Sequence, residues 1–138
     1  MDQPTARRLL AGAPFAVLAT ITPEGDPHVV PCCFVLHGDS IYSAVDAKPK
    51  STLALRRLDN LRANPAASLL VHHDDEDWSR LWWVRVDGAG RIVDEEGERG
   101  QALELLVAKY PQYRISQPPG EVMVLEIQGW RWWSQGGG

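Results

Sequence analysis

The sequence lacks the features that identify several common protein classes. No apolar run approaches the ~18 residues that a membrane-spanning helix requires, and the run at residues 9–21 is interrupted by Gly12 and Pro14. These interruptions also argue against a secretory signal peptide. Gly-x-Ser-x-Gly, Walker and Gly-x-Gly-x-x-Gly motifs are absent, which argues against the corresponding hydrolases, nucleotide-hydrolysing enzymes and Rossmann domains. We therefore expect a soluble protein of another class.

The sequence also has few cysteines and a negative net charge. The two cysteines, Cys32 and Cys33, are adjacent, and neighbouring residues on a strand point to opposite faces, so a disulfide between them is not expected. A buried, inert thiol is the default interpretation of each. This cysteine usage is typical of a reducing, cytoplasmic setting. The formal net charge of −4 argues against a nucleic-acid binder, so any local basic cluster becomes informative.

The 138 residues, 44% of them hydrophobic, are sufficient for one domain that spans residues 1–138. We expect an N-terminal helix within residues 1–12 and a flexible tail over residues 134–138. A helix should also begin at Ser51 or Thr52 and end at Asn64–Pro65, and another should cover residues 98–110. Patterning predicts six strands, at residues 15–21, 28–36, 41–45, 66–73, 81–93 with a break at 87–90, and 122–133. Short strands joined by tight turns predict a mainly β, α+β domain built as an antiparallel barrel.

A basic cluster surrounds the start of the second helix. Its cations are opposed only by Asp59 and comprise Lys48, Lys50, Arg56, Arg57 and Arg62. An isolated charge run is usually a solvated helix face. Lysines just before a helix are unfavourable, however, because the helix dipole repels cations there. A phosphate that accepts hydrogen bonds from Ser51, Thr52 and the free N–H groups would remove that cost, so the segment predicts an anion site.

The same segment carries a family resemblance. Residues 55–65 (LRRLDNLRANP), followed by 68–71 (SLLV), together with the opening 15–28 (FAVLATITPEGDPH), resemble the split-barrel flavin and deazaflavin oxidoreductases related to pyridoxamine 5'-phosphate oxidase. Residues 60–65 and the acidic 74–78 (DDEDW) make the chain most similar to the actinobacterial branch that uses coenzyme F420. The resemblance covers residues 9–133. It implies a six-stranded antiparallel split β-barrel with two or three helices, and a homodimer with cofactor sites at the interface. The family also implies that Arg57 and its basic neighbours bind the cofactor phosphate.

Within that framework several residues are candidates for the cofactor site. We expect the phosphate and the anionic glutamate tail of F420 to contact Lys48, Lys50, Ser51, Thr52, Arg56, Arg57 and Asn60. Residues 31–33 and 44–46 would support the ring through backbone contacts. No catalytic side chain is predicted, because the cofactor carries the chemistry and solvent can supply a proton.

The six tryptophans indicate an additional apolar surface. We expect Trp132 or Trp133 at a dimer interface. Trp78 and Trp82 or Trp83 either stack on the cofactor ring and wall the substrate pocket or belong to that interface as well. Arg85 shares a face with Trp83, and it would either reach an anionic part of the cofactor or pair with the acidic loop.

The sequence leaves three functions open. The first is hydride transfer between reduced F420 and a small unsaturated organic substrate, which the surplus of cations favours. The second is an FMN-dependent oxidoreductase on the same barrel. The third is a non-catalytic protein that binds F420, FMN or haem, with His28, His72 or His73 as a haem ligand. The adjacent histidines should diverge on a strand, so no metal site is expected.

Overall fold

A computed structural model describes residues 1–44, 52–118 and 120–135, without the side chains of residues 52–55. Lys48, Lys50 and Ser51 therefore lie outside the described residues. The helices are α1 (Gln3–Gly12), α2 (Thr52–Ala63), α3 (Glu96–Lys109) and α4 (Gln112–Ile115), with a 3₁₀ turn at Trp78–Arg80. None of the helices in the described residues is long and apolar enough to cross a membrane.

Seven strands form one antiparallel sheet, which makes the fold a mainly β split barrel as the sequence predicts. They are β1 (Ala16–Ile21), β2 (Pro27–Cys32), β3 (Val35–His37), β4 (Ser40–Ala44), β5 (Ala66–His73), β6 (Trp82–Ile92) and β7 (Val122–Ser134). Their order across the sheet is β2-β1-β5-β6-β7-β4-β3, and every paired neighbour is antiparallel.

The two edge strands of this sheet are consecutive in the chain. Seven flat strands would place β2 and β3 about 29 Å apart, at about 4.8 Å for each spacing. Only Cys33 and Phe34 separate the last residue of β2 from the first of β3, and three Cα–Cα steps span about 11 Å at most. The sheet must therefore curl until its edges meet. We call this two-residue connection the junction.

The junction explains one difference from the sequence prediction. A single strand was expected over residues 28–36, but the chain leaves strand geometry at Cys33 and Phe34. The Tyr110 hydroxyl accepts a hydrogen bond from the Phe34 N–H at 2.9 Å, and the Lys109 ammonium donates one to the Phe34 carbonyl at 2.8 Å. Side chains at the end of α3 therefore form hydrogen bonds with the N–H and the carbonyl of Phe34, which a neighbouring strand would otherwise have paired.

The other differences are local. β6 is continuous, because the Gly-containing segment expected to break it passes through a β-bulge between Asp87 and Gly88. Gln128 on β7 is the additional residue, since Asp87 pairs with Gly129 and Gly88 with Ile127. β7 also extends to Ser134, which was expected to begin the tail. Helix α4 and the 3₁₀ turn were not predicted.

The sheet has an inner and an outer face because side chains alternate along each strand. The inner face holds the main core, in which Leu18, Leu69 and Val84 pack against Leu10 of α1 and Leu58 of α2. A second core lies where α3 covers β4 and the start of β7. Helix α2 therefore lies on the inner face of the barrel.

Gly88 provides a test of the bulge. A Cβ atom there would overlap the backbone carbonyl of Glu126, whereas one on Gly129 would meet nothing within 4 Å. Gly88→Ala should therefore lower the free energy of unfolding by about 3 kcal/mol, measured by urea denaturation. Gly129→Ala on the neighbouring strand is the matched control. Equal destabilisation by the two substitutions would contradict this account of the bulge.

Candidate cofactor site

Arg57 is the cation of the basic cluster that the fold buries. It lies on the side of α2 that faces the core, next to Leu58, and is only 6% exposed. Its Nη2 donates a hydrogen bond to the Ala44 carbonyl at 3.0 Å. The buried Nε has no acceptor among the described residues, and no carboxylate there pairs with the guanidinium. Burying a charge is costly unless hydrogen bonds or a counterion compensate it, and among the described residues only the Ala44 carbonyl accepts from this guanidinium.

The Cys32 thiol, which the Arg57 charge influences, does not act as a counterion. Burial raises the pKa of Cys32 to about 11, although the Arg57 charge and Ser43 act in the opposite direction. Cys32 therefore carries a neutral thiol at neutral pH. The Ala44 carbonyl is therefore the described acceptor of the Arg57 guanidinium.

The other predicted residues of α2 have different environments. Arg56 is exposed. Asn60 is 2% exposed, and its amide donates to the Thr20 hydroxyl at 3.0 Å, which ties α2 to β1. Thr52 is the first residue of α2, and its side chain lies outside the described residues, as do Lys48, Lys50 and Ser51. The structure therefore places Arg57 and Asn60 side by side in the interior, with Arg56 at the surface.

Trp83 and Arg85 lie on the outer face of β6. Trp83 pairs across the strands with His72 and Trp133. Arg85 makes a two-pronged hydrogen bond to Asp87, with distances of 2.9 and 3.2 Å, and does not pair with the acidic loop. Asp87 also accepts a hydrogen bond from Ser68 at 2.6 Å.

Two groups of predicted residues are therefore separated within one chain. Arg57 and Asn60 belong to α2 on the inner face, whereas Trp83 and Arg85 point outward from β6. Trp78 stands apart in the 3₁₀ turn and is 75% exposed. A ligand that contacts both groups would require a second surface to be brought over α2.

The outer face exposes several apolar side chains beside the Ser68–Asp87–Arg85 group. It carries Val17, Val29, Leu70, Trp83 and Trp133, of which Val29 is 61% and Trp133 is 40% exposed. The sequence left open whether Trp132 or Trp133 would face outward. Trp133 does, whereas Trp132 faces inward and donates a hydrogen bond to the Met1 carbonyl at 3.2 Å. Contiguous exposed apolar side chains are typical of surfaces that bind a partner or a ligand.

The histidines do not form a metal site. No cluster of three or more His, Cys, Asp or Glu side chains that could hold a metal ion occurs among the described residues. His72 bonds Asp74 through Nδ1 at 3.0 Å, and it lines a cavity of about 300 Å³ with Phe15, Val17 and Leu70. His28 has a buried Nδ1 without a partner in the described part of the chain.

Sequence reasoning missed the side chains at the junction. Lys109 was assigned no role from the sequence, although its ammonium contacts Phe34, 75 residues earlier. The Ser68–Asp87–Arg85 group was missed as well. Nothing in the local pattern reveals either arrangement, because each depends on strands that pair across the barrel.

The curled antiparallel sheet, with the buried Arg57 of α2 inside it, defines a split-barrel protein. The chain belongs to the pyridoxamine 5'-phosphate oxidase family, which matches residues 3–134. No curated protein matches the chain.

Solved structures share this fold at low sequence identity. A conserved hypothetical protein from Mycobacterium tuberculosis has a TM-score of 0.79 and 20% identity, over 98% of this chain and 86% of that one. A heme-binding protein from Mycobacterium smegmatis has a TM-score of 0.77 and 23% identity, over 96% of this chain and 54% of that one. A FAD-binding protein from Mesorhizobium loti has a TM-score of 0.73 and 18% identity, over 96% and 94%. One fold therefore serves proteins named for different cofactors.

The hydrogen bond between Asn60 and Thr20 should position α2 on β1. Both residues are buried, so removing either partner leaves a polar group unsatisfied. Asn60→Ala and Thr20→Val should each lower the free energy of unfolding by about 1–2 kcal/mol. In a double-mutant cycle monitored by urea denaturation, the combined loss should be smaller than the sum by about 1 kcal/mol. Strictly additive losses would show that the bond does not couple the two elements.

Proposed function

We propose that this protein is an F420-dependent oxidoreductase that transfers hydride between the reduced deazaflavin and a small unsaturated organic substrate. The observation that carries the proposal is the buried Arg57 guanidinium, whose Nε has no acceptor among the described residues. A phosphate would satisfy this group, since guanidinium is a forked donor that matches phosphate oxygens. The family to which the chain belongs is consistent with a phosphorylated cofactor.

The number of cations favours F420 over FMN. FMN carries one phosphate, whereas F420 adds a glutamate tail with further negative charge. Beyond Arg57, the cluster offers Lys48, Lys50 and the exposed Arg56, which exceeds the requirement of a single phosphate. We assign the phosphate to Arg57, with Ser51 and Thr52 at the helix start, and the tail to Lys48, Lys50 and Arg56.

The protein would contribute binding and orientation. Arg57 would hold the phosphate from inside α2, while the Asn60 amide keeps that helix fixed on β1 through Thr20. When bound, the deazaflavin would supply the hydride chemistry. The Ser43 hydroxyl donates to the Cys33 carbonyl at 2.7 Å, so the described end of β4 lies beside the predicted ring-supporting residues 31–33.

We further propose that the active form is a homodimer. The outer face of one subunit would cover α2 of the other, so that Trp83 and Arg85 of each chain would complete the other's site. The separation of these residues from Arg57 within one chain supports this arrangement, as does the exposed apolar surface around Val29 and Trp133. Trp78 would form part of the substrate entrance.

Haem binding is a second candidate, favoured by the environment of His72. Its Nδ1 bonds Asp74, which leaves Nε2 for an axial bond, and it borders an apolar cavity. A related fold occurs in the heme-binding protein of Mycobacterium smegmatis. His28 and His73 were predicted as alternative ligands, but neither borders this cavity.

Arg57→Met tests the cofactor assignment. Loss of the charged hydrogen bond should weaken F420 binding by about 1–3 kcal/mol, which fluorescence titration of the purified protein would measure. Arg62→Met is the matched control, because Arg62 lies on the same helix but is exposed and paired with Asp59 and Glu121. Unchanged affinity in Arg57→Met would remove Arg57 from the site.

The same titration separates the candidate cofactors. The proposal predicts affinity for F420 that exceeds affinity for FMN. Tight FMN binding without F420 affinity would overturn it, and a Soret band lost in His72→Ala would favour haem. Reduced F420 should be oxidised in the presence of a quinone or enone, whereas binding without turnover would indicate a non-catalytic protein.

Val29→Glu tests the homodimer. A carboxylate on the outer face should be excluded from an apolar interface, so the variant should sediment as a monomer at concentrations where the unmodified protein is dimeric. Ile115→Glu is the control, because Ile115 is 92% exposed on α4 and lies off the sheet. An unmodified protein that sediments as a monomer would contradict the proposal, as would a Val29→Glu variant that stays dimeric.

A further inference from the structure

Two arginines lie directly opposite each other on the outer face of the sheet. The register pairs Arg85 of β6 with Arg131 of β7, which places their Cβ atoms about 5 Å apart. Like charges in this position repel each other, and an anion that contacts both removes the repulsion. The pair does not reflect a general excess of positive charge, because the net charge of the protein is −4.

The carboxylate beside this pair is already engaged. Asp87 accepts hydrogen bonds from Nε and Nη2 of Arg85 at 2.9 and 3.2 Å, and from the Ser68 hydroxyl at 2.6 Å. Burial raises the pKa of this carboxyl group, but the hydrogen bonds from Ser68 and Arg85 and the charge of Arg131 lower it below its usual value. Asp87 is therefore ionised at neutral pH. One carboxylate faces two guanidiniums, and the group carries one net positive charge.

Both guanidiniums keep donors for a further anion. Arg131 is exposed, its Nη1 donates to the Trp130 carbonyl at 3.1 Å, and no carboxylate among the described residues forms an ion pair with it. Nη1 of Arg85 has no acceptor in the described part of the chain. Gly129 lies on the same face two residues before Arg131, and a Cβ atom there would meet nothing within 4 Å. The space beside these donors is therefore open.

An apolar surface leads from the two arginines to a cavity. One row of the outer face crosses five strands and passes from apolar side chains to the cations, in the order Pro31, Val17, Leu70, Arg85 and Arg131. Val17 and Leu70 line, with Phe15, the cavity of about 300 Å³ that His72 borders. Two strand spacings, about 10 Å, separate Leu70 from Arg131. A ligand of that length can place an apolar body at the cavity and an anionic group on the arginines.

We propose that the outer face binds a small organic carboxylate, with its carboxylate on Arg131 and on Nη1 of Arg85 and its apolar body over Leu70. Carboxylate oxygens match the forked donors of a guanidinium. The single net positive charge of the group matches a carboxylate better than a phosphate, which carries up to about two negative charges at neutral pH.

The consequence for the reaction rests on the proposed function. The unsaturated substrate of the hydride transfer would carry a carboxylate that anchors it at a distance from the reacting double bond. Trp83 lies in the neighbouring row of the outer face, and in the proposed homodimer it completes the partner's cofactor site. A carboxylate held by Arg85 and Arg131 would therefore place the substrate next to that cofactor.

A pair of matched ligands tests the site. trans-Cinnamate and its neutral amide, cinnamamide, share an unsaturated apolar body and differ in charge. Each would be titrated into the full-length protein, and the dissociation constants would be measured by NMR. Cinnamate should bind about tenfold more tightly, which is the effect of one charge-assisted hydrogen bond. Equal affinities, or no binding of cinnamate to the unmodified protein, would overturn the proposal.

Variants separate the charged contact from the apolar one. Arg131→Met should weaken cinnamate binding about tenfold and leave cinnamamide binding unchanged. Arg114→Met is the matched control, because Arg114 is exposed on α4, away from the sheet. Phe15→Ser, at a position that is 65% exposed, should weaken the binding of both ligands to the same extent. Cinnamate affinity that is unchanged in Arg131→Met would contradict the carboxylate site.

Titration with F420 distinguishes this inference from the proposed function. Arg131→Met should bind F420 as tightly as the unmodified protein does, because the phosphate and the tail are assigned to other cations. Lost F420 affinity with unchanged cinnamate binding would assign Arg131 to the cofactor and overturn the inference. Charge-dependent cinnamate binding without any F420 affinity would support the carboxylate site and contradict only the proposed function.

Discussion

The contact between the end of α3 and the junction is the constraint on which the rest of the structure depends. A seven-stranded sheet whose edge strands are joined by two residues must close, and the closing residues need partners for their backbone groups. Tyr110 and Lys109 provide those partners at Phe34. Closure brings the end of β2 against the end of β4, where the Ser43 hydroxyl meets the Cys33 carbonyl. The Arg57 guanidinium of the candidate site reaches the same region, because it donates to the Ala44 carbonyl at the end of β4.

Closure also concentrates positive charge in a protein that is acidic overall. Arg57 and Lys109 approach the Cys32–Phe34 segment from α2 and α3, and both charges act on Cys32. Their described neighbours include carbonyls and aromatic rings, and no carboxylate among the described residues pairs with either charge. A buried charge without a counterion lowers the stability of the folded protein, and such charges are common where a ligand binds. We attribute the Arg57 charge to the cofactor phosphate, whereas the Lys109 ammonium binds the Phe34 carbonyl at the junction.

The positions of helices and strands were predicted from the sequence more accurately than the burial and contacts of individual side chains. Periodicity located α2 and most strands, because alternation and helix-stop residues are local signals. It missed the break at Cys33 and Phe34, since that break depends on Tyr110, which is 76 residues away. The candidate site was predicted only in part. Basic residues marked the segment, but burial of Arg57 and exposure of Arg56 depend on how α2 docks against the core. The Ser68–Asp87–Arg85 group needs strand register, which local patterns do not encode.

The central claim is that the Arg57 guanidinium binds the phosphate of F420. The most direct measurement is a ¹H–¹⁵N spectrum of the arginine Nε–H groups during titration of the protein with F420. The Arg57 Nε–H, which has no acceptor among the described residues, should shift and exchange more slowly with solvent as the site fills. An unchanged Arg57 signal at saturating F420, with shifts confined to exposed arginines, would contradict the account.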